Sequence, residues 1–372
     1  MAIKVAQVIT QSEMGGAQKH VLLLSSLLRE KGYEVTVFAA PGGEMIEELK
    51  KMNIGFMEVP DMVREINPIR DLKATMFLYK KFKEEKYDIV HCHSSKAGLI
   101  GRLAAKLAGI KKRIYTVHGF VFNEPMGRVK KWAYTVIEKF GGLLSSDIIA
   151  VSNRDYDIAL KYKVIDSKRL RYIPNAIEEV DIKKLAPGDL TRKKLGLNTN
   201  EFVIGTVANF YETKGHVYLI EALKRLYDEG YKFKTIFAGI GPKYDDMINF
   251  SSGYNDIKFL GYRKDNFDVI NAMDMFVLPS VKEGMPYVVL EAMMLSKPVL
   301  CTRVGALGDI IKDEVNGFIV NSQSSDELYN KLKLILEHKY DLTRIGHEGG
   351  KYVRENFSIE KFIEDVIEVY SR

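Results

Sequence analysis

The sequence predicts an α/β protein of two doubly wound, parallel-sheet domains facing a central cleft. Three observations carry that expectation. The chain has 372 residues, about twice a usual domain, so two cores of ordinary size are expected rather than one large one. Short β-branched runs alternate with helix-period segments, the signature of βαβ units. A charged, irregular stretch between Glu178 and Asn200 interrupts the alternation and reads as a linker with a short helix. The expected division is an N-terminal domain over 1–178, a linker over 179–200, a C-terminal domain over 201–355, and a last helix over 356–372 that returns to the first domain.

In chain order, IKVAQVI is the first strand, followed by a helix from Gly16 to Lys31, the strand VTVF, a helix from Leu72 to Lys86 and the strand DIVHCH. A helix from Lys96 to Ala108, the strand RIYTVHG, a helix from Met126 to Leu144, the strand DIIAVS and a further helix complete the first series. On the Met126 to Leu144 helix, Val129, Trp132, Val136 and Phe140 fall on one face. The second series has strands FVIGTV, FKTIFAG, DIKFLG, MFVLP and KPVLCT, separated by helices near 214–229, 241–251, 264–272 and 286–295, as parallel pairing requires. Helical segments at Asp326 to Glu337, Leu342 to Glu355 and Ile359 to Val369 end the chain.

Composition narrows the function. An apolar fraction of 46% and a charged fraction of 28% are ordinary for a globular chain and exclude disordered, collagenous and disulfide-scaffold classes. Cys92 and Cys301 each sit inside an apolar strand, so buried free thiols and a reducing cytoplasm are expected. The N-terminus enters a strand directly and no apolar stretch reaches the roughly 18 residues of a span, so neither secretion nor membrane crossing is expected. The net charge of +6 is uneven: residues 1–184 hold 31 Lys and Arg against 22 Asp and Glu, and the remainder holds 24 against 27. Between Lys96 and Lys139, ten cations face only Glu124 and Glu138.

Ligands of open parallel sheets bind beyond the carboxyl ends of strands, so the segments after each strand carry the information. After the first strand, Gly15 and Gly16 precede a helix whose N-terminal amides favour an anion; a tight strand-to-helix turn is the alternative. Neither the phosphate loop GxxxxGKS/T nor a full GxGxxG is present. RIYTVHG delivers His118 to a strand end, where an imidazole can donate to a sugar hydroxyl or a developing charge, or simply pack. His91 and His93 are expected on opposite faces of their strand, which argues against a metal site. In TVANFYETKGH, Lys214 opens a helix and suits either a diphosphate or solvent.

The strongest local signal is PSVKEGMPYVVLEAM. Glu283 sits in a loop, Gly284, Met285 and Pro286 lead into a helix, and Glu291 lies inside that helix. Pro286 suits the first helical turn, leaving free amides around it as a cradle for an anion or for sugar hydroxyls. Glu291 has apolar neighbours, where two ribose hydroxyls would satisfy its charge; an exposed glutamate is the alternative.

At EGMPYVVLE the chain resembles the retaining glycosyltransferases of family 4, marked by Glu, seven residues, Glu, on the two-Rossmann-domain architecture called GT-B. The likeness runs in order through Gly15 and Gly16, His118, Ile173 to Asn175, Lys214, Phe259 to Gly261, and Glu283 with Glu291. The resemblance implies that Glu283 and the amides of Gly284, Met285 and Pro286 hold the transferred sugar, with His118 beside it; these two side chains are the expected catalytic pair. It implies that Glu291 holds the nucleotide ribose and that Lys214, Gly15 and Gly16 meet the diphosphate, with Asn175 also on the donor side. Family members commonly carry Arg where this chain has Asn209. Asn209 offers only a neutral hydrogen bond, so Arg263 or Lys19 is expected to compensate. The family implies retention by a front-face route with the donor phosphate deprotonating the acceptor, so electrostatic support replaces a protein nucleophile. The expected donor is a uridine-diphosphate sugar, with no metal and no cofactor. Asp155 and Asp157 read as residues at a helix start.

In this architecture the first domain meets the acceptor. The interleaved stretch GFVFNEPMGRVKKWAY, with the basic segment, points to an anionic membrane surface and a lipid-linked acceptor, in bacterial cell-surface polysaccharide synthesis on the inner face of the membrane. A Trp132 stripe buried as core beneath solvated lysines is the alternative. Nucleic acid is not expected. A nucleotide-sugar epimerase of the same architecture and a non-catalytic sugar-nucleotide binding protein stay open; the basic aromatic stretch argues against the first, Glu283 and His118 against the second.

Overall fold

The computed structural model describes residues 2–123 and 126–372. It divides into two compact units, Met1–Asn175 with Ile359–Arg372, and Ala176–Ser358.

The first unit alternates β1 (Lys4–Val8), α1 (Gly16–Glu30), β2 (Glu34–Ala39), α2 (Met45–Lys51), β3 (Gly55–Glu58), α3 (Pro68–Glu85), β4 (Ile89–His93), α4 (Ser95–Leu107), β5 (Lys112–Val117), α5 (Arg128–Leu144), β6 (Asp147–Ala150), α6 (Asn153–Lys161) and β7 (Leu170–Tyr172). Its strands are all parallel, in the order β3-β2-β1-β4-β5-β6-β7. The order reverses between β1 and β4, the position where such sheets open a ligand crevice. Helices cover the sheet, so β4 and β6 are buried along their whole length. α5 packs closely because Gly142 carries no side chain: a Cβ there would stand 1.8 Å from the Val164 carbonyl oxygen.

The second unit runs α7 (Gly188–Lys194), β8 (Val203–Val207), α8 (His216–Asp228), β9 (Lys234–Ala238), α9 (Tyr244–Phe250), β10 (Ile257–Phe259), α10 (Asn266–Asn271), β11 (Met275–Leu278), α11 (Tyr287–Met294), β12 (Val299–Thr302), α12 (Leu307–Ile310), β13 (Phe318–Val320), α13 (Ser325–Leu336) and α14 (Leu342–Asn356). Its parallel sheet has the order β10-β9-β8-β11-β12-β13, reversing between β8 and β11. The last helix, α15 (Ile359–Ser371), belongs to the first unit and buries Phe362, Ile363, Val366, Val369 and Tyr370. Cys92 and Cys301 are free and buried; burial pushes the Cys92 thiol up to about 12.

Candidate active site

In the second unit, the loop from Pro279 to Pro286 follows β11 at the reversal of strand order. Lys214 Nζ and Ser280 Oγ both donate to Glu283 Oε1, at 2.6 Å each. Neighbouring segments hold the loop from two sides. The Thr213 carbonyl accepts from the Val281 and Lys282 amides at 2.8 and 3.3 Å, and the Gly284 carbonyl accepts from the Ala306 amide at 2.7 Å. Thr302 Oγ1 donates to the Ser280 carbonyl. Gly215, at φ 67°, lets this contact form, since a Cβ there would lie 2.1 Å from the Pro279 carbonyl oxygen. The carboxylate and the ammonium are therefore fixed by backbone, not by their own attraction alone.

Pro286 is the residue before the helix, with extended backbone, and α11 begins at Tyr287, one position later than the sequence suggested. Glu291 is 4% exposed on that helix, which excludes an exposed glutamate. Gly284, Met285 and Pro286 are buried and Asn209 is half-buried after β8. Arg263 forms a bidentate pair with Asp265, Nε to Oδ1 at 2.9 Å and Nη2 to Oδ2 at 2.5 Å, so its fork is already engaged.

In the first unit, β1, β4 and β5 end beside the start of α1. Gly15 precedes α1 with φ −161°, and a Cβ at Gly16 would meet nothing within 4 Å, so neither glycine is required by a tight turn. His118 stands half-buried after β5, its Nε2 3.3 Å from His93 Nδ1. His20 from α1 shares a hydrogen bond of 2.9 Å with Asn175 Oδ1, which places Asn175 behind the histidines. Burial lowers the His20 imidazole to about 4 and holds His91, His93 and His118 well below the usual range, with neighbouring rings adding to the effect. The expectation that His91 and His93 point to opposite faces is wrong: residues two apart on a strand share a face, and their rings lie 4.4 Å apart. Nitrogens of His20, His93 and His118 lie within 4.8 Å of one another, the group among the described residues that could hold a metal ion. Ser152 caps α6 by accepting from the Asp155 amide and donates to Asp155 Oδ2, while Asp155 Oδ1 accepts from the Phe120 amide at 3.2 Å, steadying the turn that carries His118.

A family model described as Glycosyltransferase Family 4 matches residues 14–180, and one described as Glycosyl transferases group 1 matches residues 189–352. The Escherichia coli UDP-Gal:alpha-D-GlcNAc-diphosphoundecaprenol alpha-1,3-galactosyltransferase is 32% identical over 99% of this chain and 96% of its own. The chain belongs to glycosyltransferase family 4. The capsular polysaccharide biosynthesis glycosyltransferase CapM of Staphylococcus aureus is 29% identical over 92% of this family 4 glycosyltransferase and 91% of its own length. Anabaena HepE, solved with UDP-glucose, shares its fold, with a TM-score of 0.84 at 20% identity over 99% of both chains.

The structure redistributes the basic segment of this glycosyltransferase. Arg102 is buried, stacked 4.2 Å over Tyr115 and donating to Gly141 and Ser145; Lys96 pairs with Asp71, Lys112 with Asp147, and Arg113 donates to the Leu144 carbonyl. Lys106, Lys111, Arg128, Lys130, Lys131 and Lys139 reach the surface. Phe120 and Phe122 are buried, while Glu124 and Pro125 of the aromatic stretch lie outside the described residues. Val129, Trp132, Val136 and Phe140 are not core: they are 81%, 68%, 45% and 49% exposed, and Leu143 extends their stripe. Sequence reasoning missed His20, Gln7, Ser280, Thr213 and Tyr370. Strand periodicity could have found Gln7, which pairs with His91 across β1 and β4.

Proposed function

We propose that this glycosyltransferase moves a sugar, with retention of anomeric configuration, from a uridine-diphosphate donor to a hydroxyl of a lipid-linked glycan during cell-surface polysaccharide assembly. It works as a peripheral protein on the inner face of the membrane. The observation that carries the reading is the clamped loop after β11. Glu283 Oε1 is held twice, and Oε2 has no protein partner among the described residues, so it can accept a sugar hydroxyl and oppose oxocarbenium charge. Lys214 and the Gly15–Gly16 helix start meet the diphosphate, Glu291 the ribose, and the Gly284 to Pro286 backbone the sugar. Asn209 adds a neutral donor, His118 works beside the sugar, and no metal or cofactor is required. Arg263 contributes only if its Asp265 pair opens. The Escherichia coli relative's name supports a UDP-sugar donor and a diphosphoundecaprenol-linked acceptor. The exposed α5 stripe, flanked by Arg128, Lys130 and Lys139, supports contact with an anionic bilayer.

The test incubates purified protein with a panel of nucleotide sugars and bacterial lipid extract, following nucleoside diphosphate release and radiolabel in the organic phase. Release with lipid label is expected. Release without label would replace the lipid acceptor with a soluble one or water, and silence across the panel would overturn the reading.

A further inference from the structure

Behind His118 a continuous chain of side chains crosses the first sheet. His93 Nε2 lies 2.6 Å from Gln7 Oε1, Gln7 Nε2 3.2 Å from the Tyr370 hydroxyl, that hydroxyl 2.9 Å from His91 Nδ1, and His91 Nε2 2.7 Å from Thr116 Oγ1. Register brings them together: Gln7 pairs with His91 and His93 with Thr116, so one sheet face carries them all, and α15 lays Tyr370 on it.

The amide of Gln7 sets the direction, because its oxygen only accepts and its nitrogen only donates. His93 must then carry its proton on Nε2. A neutral His93 has a bare Nδ1, which accepts from His118 Nε2–H. In the other sense, Gln7 donates to the Tyr370 oxygen, which also meets His91 Nδ1, and His91 Nε2 meets the Thr116 hydroxyl. His93 and His118 are thereby each held in one tautomer.

We propose that Gln7 and Tyr370 are positioning residues that fix His118 as its Nε2–H tautomer, leaving Nδ1 a lone-pair acceptor. On the proposed reading of His118 beside the sugar, on which this consequence rests, His118 accepts a hydrogen bond from a substrate hydroxyl instead of donating one. The C-terminal helix then contributes to the chemistry through three intervening side chains without touching substrate.

Long-range proton–nitrogen correlation on the uniformly ¹⁵N-labelled full chain reads each imidazole's tautomer, and His118→Asn assigns its signals among the seven histidines. Wild type is expected to show His118 as Nε2–H. Tyr370→Phe keeps the ring but removes the shared oxygen; His118 is expected to become a mixture of tautomers, with kcat falling about tenfold and donor KM within about twofold. Gln7→Glu makes His93 an imidazolium whose Nδ1–H must be accepted by His118 Nε2, so His118 is expected to flip to Nδ1–H. A wild-type Nδ1–H tautomer, or an unchanged His118 pattern in both variants, would overturn the relay. If the spectra behave as expected while His118→Asn turns over normally, the relay stands and the active-site reading of His118 fails.

Discussion

With Lys214 and Ser280 on Oε1 of Glu283 and no protein partner for Oε2 among the described residues, the carboxylate is oriented before any ligand arrives, and its effect belongs to the transition state more than to binding. Glu283→Gln is expected to lower kcat by about 10²-fold with little change in donor KM, whereas Glu291→Ala mainly weakens donor binding. Equal small effects on both constants in steady-state kinetics would contradict the two roles. The spacing of Glu283 and Glu291 was legible because one segment holds both. The Glu283 to Lys214 contact was not, since it depends on β8 lying beside β11. His20 was invisible for another reason: on a buried helix face a histidine looks like any packed residue. Its imidazole is lowered from 6.5 to about 4, so between those values the unfolded chain binds the proton and the folded one does not. Stability is full above about pH 6.5 and is lost as pH falls toward 4, by about 3 kcal/mol for His20 alone. Urea midpoints of the first unit measured at pH 7.5 and 5 should show the loss.

At the scale of elements, the expected strands lie within a residue or two of those observed, because alternation in sequence maps directly onto burial, whereas α3 begins four residues before and α9 three residues after the expected position. β3, β7 and β13 are three or four residues long and were not expected, whereas β10, equally short, was found because the longer run DIKFLG surrounds it. α5 was read with the right face and an undecided destination: periodicity says which residues share a stripe, not what covers it. Its inward face is Thr135, Glu138, Gly141, Gly142 and the terminal Leu144, small or hydrogen-bonding residues but for the last, while the apolar stripe faces outward. Replacing Trp132 and Phe140 together by Asp should reduce sedimentation with vesicles rich in anionic lipid by about tenfold or more, while the melting temperature stays near that of the parent. Unchanged sedimentation would remove α5 from the membrane contact.

At the scale of the molecule, each unit carries its own core, so unfolding is expected in two steps rather than one. α15 belongs to the first unit although the whole second unit precedes it in the chain. Ending the chain after Ser358 removes five buried apolar or aromatic side chains, each worth about 1.5–3 kcal/mol, and should lower the first unit's transition while sparing the second. Calorimetry of that truncation would detect a fall in one transition alone; an unchanged first transition would mean α15 adds nothing to that fold.

The placement of Tyr370 also orders events during synthesis. Gln7, His91 and His93 emerge early, but the residue whose hydroxyl joins them lies 279 positions after His91 and 363 after Gln7. At about 5–20 residues per second, the ribosome needs about 10–40 s to pass from Asn175 to Tyr370. Throughout that interval the nascent first unit holds its histidines without the group that orients them, so the newly made enzyme acquires its ordered imidazoles only once the second unit has been made and Tyr370 has followed it.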